Sequence, residues 1–181
     1  IVTIEGEGEE QTARMDGTAV FRDGRYQGEL DESATRGLLF ARNEVEQCLY
    51  VLTLANGHKV TVEIHASDMD VRAQRAGDNV DFRFSVSSTA EITEEYNMEP
   101  LTAEQLDEIE ERLNKAIEED VYAMLNRTVA EYGCDVLGLS RLVKKKMPEL
   151  VRGREEEWPE RLKACSFSVE AQVKVRQNGM V

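Results

Sequence analysis

Two stretches of the sequence alternate apolar and polar residues on either side of a short turn, and each predicts a β-hairpin. An extended apolar run at 17–21 is followed by the turn signal RDGR and a second short run, YQGEL. Further along, CLYVLTL and HKVTVEI are joined by Asn56 and Gly57, a pair preferred in type I′ turns. Every other residue from 60 to 64 is apolar, which predicts one buried face and one wet face.

Three further alternating runs extend the predicted sheet. A weak run, MDVRAQ, is followed by a strong one, VDFRFSVSSTAEI, which we interpret as the third and fourth strands of an antiparallel meander. The last run, SFSVEAQVKV, alternates without a break near the end of the sequence. We therefore expect a C-terminal strand that returns to the sheet.

The longest periodic segment predicts a helix of nearly 30 residues. Apolar residues keep a three-and-four spacing from Leu106 to Tyr132, and Gly133 is the expected end. Thr102 and Gln105, three residues apart, form the pattern of a capping box at its start. This helix is expected to lie along the sheet.

Shorter helices are predicted before the sheet strands and after the long helix along the sequence. Asp31 is the expected N-cap of a helix that reaches residue 42. Gly37, inside that helix, costs about 1 kcal/mol relative to alanine, so we expect another segment to pack closely against it. A second helix is predicted to end before Pro148, and further helical turns are predicted around Trp158.

These elements predict an α+β fold, with an antiparallel β-sheet packed on one face by a long α-helix and shorter helices. A length of 181 residues, 41% hydrophobic and 32% charged, suits one ordinary folded domain over 1–181. Residues 1–14 are expected to be a flexible lead-in. The sequence begins with Ile1 and not with methionine, so we interpret it as a fragment of a longer protein.

The charge balance restricts the possible partners. There are 36 acidic and 22 basic residues, which gives a net charge of −14 and repels phosphate backbones over the surface as a whole. We therefore predict no nucleic-acid partner. The sequence has no apolar run of the roughly 20 residues needed to cross a bilayer.

No set of residues predicts catalysis, a metal ion or a cofactor. The three cysteines are far apart, which favours small buried side chains over a disulfide framework or a zinc site. The GEGEE segment lacks the third glycine and the preceding strand of a phosphate-binding loop, and SDMD lacks the later ligands of a calcium loop. The acidic residues of the long helix are interpreted as its wet face: Glu108, Glu110, Glu111, Glu118, Glu119 and Asp120. A hydrolase would depend on Cys134 or on this acidic face alone.

One segment of this acidic chain is locally basic. It contains Arg141, Lys144, Lys145, Lys146, Arg152 and Arg154. Cations near a helix C-terminus ordinarily compensate the helix dipole, and a surface that faces phospholipid or a protein partner is the alternative. Tyr26, in the first hairpin, is either an edge-packing residue or an exposed recognition residue.

The stretch GTAVFRDGRYQGELDESATRGLLF resembles the signature of the C-terminal domain of the Ger(x)C family, the lipoprotein subunit of bacterial spore germinant receptors. The matching residues are Gly17, Ala19, Val20, Phe21, Gly28, Leu30, Thr35, Arg36, Gly37, Leu38 and Leu39. Downstream, Asp135, Gly138, Pro148, Trp158, Asn178 and Gly179 also fit the family pattern. The chain departs from it at Phe40, where tryptophan is common, and at Leu162, where phenylalanine is usual.

This resemblance implies a lipoprotein held by an N-terminal lipid on the outer face of the inner spore membrane. It also implies two integral membrane subunits as partners and no enzymatic activity. On that basis we expect a non-enzymatic scaffold or interaction domain that acts in nutrient-triggered germination. The alternative is a small-molecule-binding module that senses the germinant. The candidate partner-contact residues are Tyr26, Arg36, Lys144, Lys145, Lys146 and Arg152.

Overall fold

The computed structural model describes residues 2–5, 12–15, 17–95 and 101–176. Strands β1 (Val2–Glu5) and β2 (Thr12–Met15) pair antiparallel. β1 lies within the predicted lead-in, and β2 ends just beyond it. Whether 1–14 is flexible, and whether 1–181 is one domain, remain predictions. The GEGEE segment and Pro100 lie outside the described residues.

The first predicted hairpin is confirmed as β3 (Thr18–Arg22) and β4 (Arg25–Leu30). Its turn residues Asp23 and Gly24 have φ angles of 53° and 73°, the signature of a type I′ turn. It is followed by helix α1 (Glu32–Ala41), whose first-turn amide at Ala34 donates to the side chain of Asp31. The predicted N-cap is therefore confirmed.

Within the described residues, the main sheet has four strands in the order β5-β6-β7-β8. Its strands are β5 (Cys48–Thr53), β6 (Lys59–Ala76), β7 (Asn79–Glu95) and β8 (Ser166–Arg176). The first three form the predicted antiparallel meander, but β8 pairs with β7 in parallel. The chain reaches β8 through a long helical crossover, which is the kind of connection that a parallel pair needs.

The predicted second and third strands are in fact one strand, β6. Its pairing with β7 shifts register at Thr61/Val62 and again at Ile64/Ala66. Such irregularities change which face a side chain points to, so the buried positions change from even numbers such as Val60 to odd numbers such as Met69. This break in alternation made one long strand look like two.

The turn at Asn56 and Gly57 joins β5 and β6 as predicted, but the predicted turn type, I′, is wrong. Gly57 donates its N–H to Leu54 O at 2.9 Å and has a φ of +85°. Among non-glycine residues of the described chain, only Asp23 and Asn43 have positive φ, so Asn56 does not. The type I′ geometry needs positive φ at both central residues, which excludes it here.

The long helix α2 (Ala103–Leu125) begins with the predicted capping box between Thr102 and Gln105. It continues as a π-helical segment, Asn126–Glu131, before the chain turns at Gly133. The shorter helices are α3 (Leu139–Lys146), α4 (Pro148–Val151) and α5 (Trp158–Lys163). The predicted helix before Pro148 and the turns around Trp158 are confirmed.

The core lies between the main sheet and α2. Its largest fully buried side chains come from both layers and from α1. They include Phe40, Ile64, Phe82, Phe84, Ile109, Leu113, Ile117 and Met124. The α+β class is confirmed.

Polar side chains of α2 cover the outer edge of β8. The side chains of Glu110, Asn114 and Glu118, each four residues apart, accept hydrogen bonds from β8 amides, and the hydroxyl of Tyr122 accepts a fourth. The shortest is the bond from Val173 N–H to Asn114 Oδ1, 2.7 Å. Because an uncovered edge invites strand addition, this row of acceptors protects the sheet on that side.

Replacing Asn114 with alanine is expected to lower the free energy of unfolding by about 1–3 kcal/mol, because the buried Val173 N–H loses its acceptor. Chemical denaturation measures this change. Lys115→Ala, on the exposed side of the same turn, is the control and should change stability by less than about 0.5 kcal/mol. Equal stability of the two variants would contradict the protective role of Asn114.

Candidate functional site

A buried carboxylate fixes α1 against α2. Asp120, only 4% exposed, accepts hydrogen bonds from Ser33 Oγ at 2.5 Å and Tyr50 OH at 2.7 Å. Arg36 adds two more, from Nε at 2.8 Å and Nη2 at 3.1 Å. The guanidinium also lies over the Tyr50 ring, 5.3 Å from its centroid. Asp120 thus joins α2 to α1 and β5, where its partners lie 70 to 87 residues away in sequence.

The assignment of the acidic residues to a wet face was therefore wrong for several of them. Asp120 is buried, while Glu110 and Glu118 bond to the edge of β8. Glu108 accepts from Ala55 N–H at 2.8 Å. Only Glu111 and Glu119 are exposed as expected. A signal for Asp120 was present in the sequence, because it lies three residues after Ile117 and four before Met124 on the apolar stripe.

The predicted close packing on Gly37 is confirmed. A Cβ atom at Gly37 would lie 2.0 Å from the backbone oxygen of Asp120, so α1 and α2 touch through their backbones. At Gly28 a Cβ would lie 2.4 Å from the ring of Tyr132, whose hydroxyl donates to Glu29 O at 2.9 Å. These glycines allow segments to approach each other closely.

Arg36, a predicted contact residue, is engaged within the fold. Its hydrogen bonds to Asp120 raise the pKa of its guanidinium, and it also forms an ion pair with Glu32 at 2.7 Å. Burial, together with the charge of Asp120, raises the pKa of Tyr50, so that hydroxyl stays a donor. A contact of Arg36 with a partner remains a prediction that concerns its exposed part.

The first hairpin presents an aromatic pair to solvent. Tyr26 is 57% exposed and Phe21 is 60% exposed, and their rings pack edge to face with centroids 5.8 Å apart. The exposure of Phe21 was missed in the sequence, although it follows the buried Val20 in a strand and must point to the opposite face. Arg22 Nη1 donates to Gly133 O at 3.1 Å and attaches the hairpin to the end of the long helix.

The basic segment lies on α3 and the turns after it. Lys144, Lys145 and Lys146 are exposed in the last turn of α3, and Arg152 is exposed beyond α4. At the other end of α3, the carboxylate of Asp135 accepts from Leu139 N–H at 2.7 Å and Ser140 N–H at 2.8 Å. The lysine charges compensate the dipole of α3 at its C-terminal end. They also form a cationic surface on a chain whose net charge is negative.

The cysteines do not form a reactive site in the described part of the chain. Cys134 is buried, and Cys48 and Cys165 are partly buried. Burial raises the pKa of all three thiols, which disfavours the nucleophilic thiolate. Within residues 2–5, 12–15, 17–95 and 101–176, no group of three His, Cys, Asp or Glu side chains is arranged to hold a metal ion.

Two shallow depressions mark the surface of the described residues. The first, about 390 Å³, lies between α1 and the start of β5 and is lined by Glu32, Arg36, Leu39, Val45, Gln47, Cys48, Leu49 and Glu63. The second, about 490 Å³, lies on polar side chains of β6, β7 and β8, including Ser67, Ser88 and Lys174. The space between the sheet and α2 is filled by the core.

Comparison with known proteins gives two matches in agreement with this fold. The family model "Spore germination B3/ GerAC like, C-terminal" matches residues 16–179. A solved structure titled "Crystal Structure of the GerBC protein" superimposes with a TM-score of 0.79 at 21% sequence identity, covering 92% of this chain and 53% of that one. The chain therefore spans about half of the GerBC chain, and at this identity the likeness shows the fold alone. No curated protein matches the sequence.

The structure adds that no helix of the described residues has the length and apolar character to cross a membrane. The family match covers the first hairpin, α1 and the positions Asp135, Gly138, Pro148 and Trp158, which carried the resemblance to the Ger(x)C family. That resemblance is confirmed. Since the match extends over nearly the whole sequence, the chain belongs to the spore germination B3/GerAC-like C-terminal family.

Proposed function

We propose that this chain is a non-enzymatic interaction domain of a spore germinant receptor subunit. In this proposal it acts in nutrient-triggered germination by contacting the integral membrane subunits of the receptor. Membership of a spore-germination family supports a role in germination. The aromatic pair Phe21 and Tyr26 supports the mode of action, because exposed aromatic side chains on a rigid support are typical anchors of protein interfaces.

The exposed aromatic pair is the observation that carries this proposal. Its hairpin is attached to the rest of the fold by Arg22, bonded to Gly133 O, and by Tyr132, bonded to Glu29 O. A support that is already rigid loses less conformational freedom on binding, so more of the contact energy appears as affinity. The basic segment provides a second surface for an acidic partner segment.

We also propose that the full-length protein is anchored by an N-terminal lipid on the outer face of the inner spore membrane. A tether of this kind raises the local concentration of the domain near membrane-embedded subunits. Modest contacts by the hairpin and the basic segment then suffice for stable assembly.

Pull-down of the membrane subunits with this chain, followed by crosslink mapping, tests the proposal. The double variant Phe21→Ser and Tyr26→Ser is expected to recover at least about ten-fold less of the subunits, because loss of two interface anchors costs more than 1.4 kcal/mol. Tyr26→Phe keeps the ring and is the matched control. Full recovery by the double variant, with crosslinks that avoid the hairpin, would refute the role of the aromatic pair.

Charge reversal of Lys144, Lys145 and Lys146 to glutamate is expected to slow germination and weaken receptor assembly several-fold, more strongly at low salt. Glutamate at Lys59, Arg83 and Lys115 changes the net charge equally at scattered exposed positions and serves as the control. Spore germination rate and co-purification of the receptor subunits are the measurements. Equal behaviour of both variants would remove the basic segment as a contact surface.

Calorimetry separates this function from germinant sensing. Titration of amino acids and sugars into the chain is expected to give no heat of binding. Saturable heat with either class of compound would favour a small-molecule-binding module over an interaction domain.

A further inference from the structure

Strand β5 is the outer strand of the main sheet on the side away from β8. Leu54 N–H donates to His58 O at 2.8 Å where the hairpin to β6 closes. Hydrogen-bonded pairs alternate along an antiparallel ladder, so Cys48, Tyr50 and Leu52 point their backbone groups toward β6. The N–H and C=O groups of 49, 51 and 53 therefore point outward, and no partner for them occurs among the described residues.

The outward side of β5 lacks the features that usually protect an edge. Leu49 is 58% exposed and Val51 is 68% exposed, and CLYVLT contains neither a charge nor a proline. The opposite edge of the same sheet is covered, because α2 supplies an acceptor for the β8 amides from Val169 to Val175. Among the described residues, one edge of the sheet is thus covered and the other is open.

The first surface depression, between α1 and the start of β5, forms a groove beside this open edge. Its lining indicates the chemistry of a segment that would bind there. The apolar side chains of Leu39, Val45 and Leu49 line it, with Glu32 and Glu63 as its acidic members. Its one cation, Arg36, is already bound by Asp120 and Glu32. The groove therefore presents apolar surface with unbalanced negative charge, which complements an apolar segment that carries a lysine or arginine.

We propose that β5 is a docking edge for an extended segment of a partner protein, which adds to the sheet as a fifth strand. The main-chain groups of 49, 51 and 53 bind its backbone, and Leu49 and Val51 contact alternate apolar side chains of the segment. A basic residue of the segment lies beside Glu32 and Glu63. This surface is separate from the hairpin and the basic segment and does not depend on the proposed function.

The probe is a blocked synthetic peptide of alternating valine and threonine with a lysine at each end. On adding it to the 181-residue chain, we expect saturable binding and at least ten-fold slower hydrogen exchange at the amides of Leu49, Val51 and Thr53. A peptide with an N-methyl group on every residue lacks the pairing donors on both of its edges and should not bind. A peptide with glutamate at both ends should bind at least several-fold more weakly because of Glu32 and Glu63.

Two variants of the chain complete the test. Val51→Pro removes an outward N–H and no ladder bond, and proline is tolerated at such edge positions. It should weaken binding of the lysine-ended peptide at least ten-fold, whereas Val51→Thr, which keeps the donor and the branched side chain, should bind like the wild type. If Val51→Pro does not fold, the N-methylated peptide tests the complementary bonds on the wild-type chain, which run from the peptide N–H groups to the outward C=O groups of β5.

Three outcomes would overturn the proposal. One is equal binding of the N-methylated and unmodified peptides, and another is equal binding of the lysine-ended and glutamate-ended peptides. The third is protection of Leu49 and Val51 that rises with protein concentration in the absence of peptide. That result would identify a second copy of the chain as the occupant of the edge.

Discussion

Replacing Asp120 with alanine is expected to lower the free energy of unfolding by about 3–5 kcal/mol, the largest effect of any substitution considered. The carboxylate accepts four hydrogen bonds, from Ser33, Arg36 and Tyr50, and it is 4% exposed. Its removal leaves Arg36 Nε and the buried Tyr50 hydroxyl without their acceptor, and Arg36 keeps only its ion pair with Glu32. Urea denaturation followed by circular dichroism gives the change directly.

Glu119→Ala is the matched control, because the neighbouring acid is exposed and forms only a 3.8 Å surface ion pair with Lys115. It should change stability by less than about 0.5 kcal/mol. The double variant Arg36→Met and Asp120→Leu should lose less than the sum of its single variants, by at least about 1 kcal/mol, since it removes both charges together. A loss below about 1 kcal/mol in Asp120→Ala would contradict this account.

Replacing Gly37 with alanine is expected to destabilise the chain by about 1–3 kcal/mol, against the usual preference for alanine in a helix. The added Cβ would lie 2.0 Å from Asp120 O and 2.9 Å from Val121 N. Because these are backbone atoms of α2, no side chain can rotate away to make room. The two helices must separate, which also loosens the bonds between Arg36 and Asp120.

Denaturation and NMR together test this prediction. The amides of Asp120 and Val121 should shift in Gly37→Ala, and Gly37→Val should lose more stability still. Gly77→Ala is the comparison, because a Cβ there meets nothing within 4 Å and only the φ of +63° is strained. It should cost about 1 kcal/mol and leave the amides of α2 unmoved. A Gly37→Ala variant at least as stable as the wild type would show that the helices tolerate the methyl group.

Much of the element list could be predicted from local patterns. Capping by Asp31 and Thr102 uses residues within three positions of the amides they bind, so the sequence contains the whole interaction. The alternation of the last strand likewise describes its two faces without reference to any neighbour. The family resemblance also depends on sequence alone, and it carried the prediction of germination.

Other features depend on contacts between residues far apart in the chain. An alternating run shows which face of a strand is buried, but not whether the neighbouring strand runs parallel or antiparallel. The parallel pairing of β8 with β7 is set by the helical crossover between them. The alternation of apolar residues in β6 breaks where its pairing with β7 shifts register. For that reason the sequence pattern predicts two strands where the structure has one. The role of Asp120 was hidden for a similar reason, because its partners lie 70 to 87 residues away.

The sequence by itself determined most of the secondary-structure elements, the acidic net charge and the family, because each of these is encoded in neighbouring residues or in overall composition. Only the tertiary structure decided which polar residues are structural and which are available for contacts. Glu110, Glu118 and Asp120 are acids of one helix, yet the strands and helices beside them determine whether they bond to backbone or to arginine. The physical reason is that burial and hydrogen bonding belong to the packed neighbourhood, which forms only when distant segments meet.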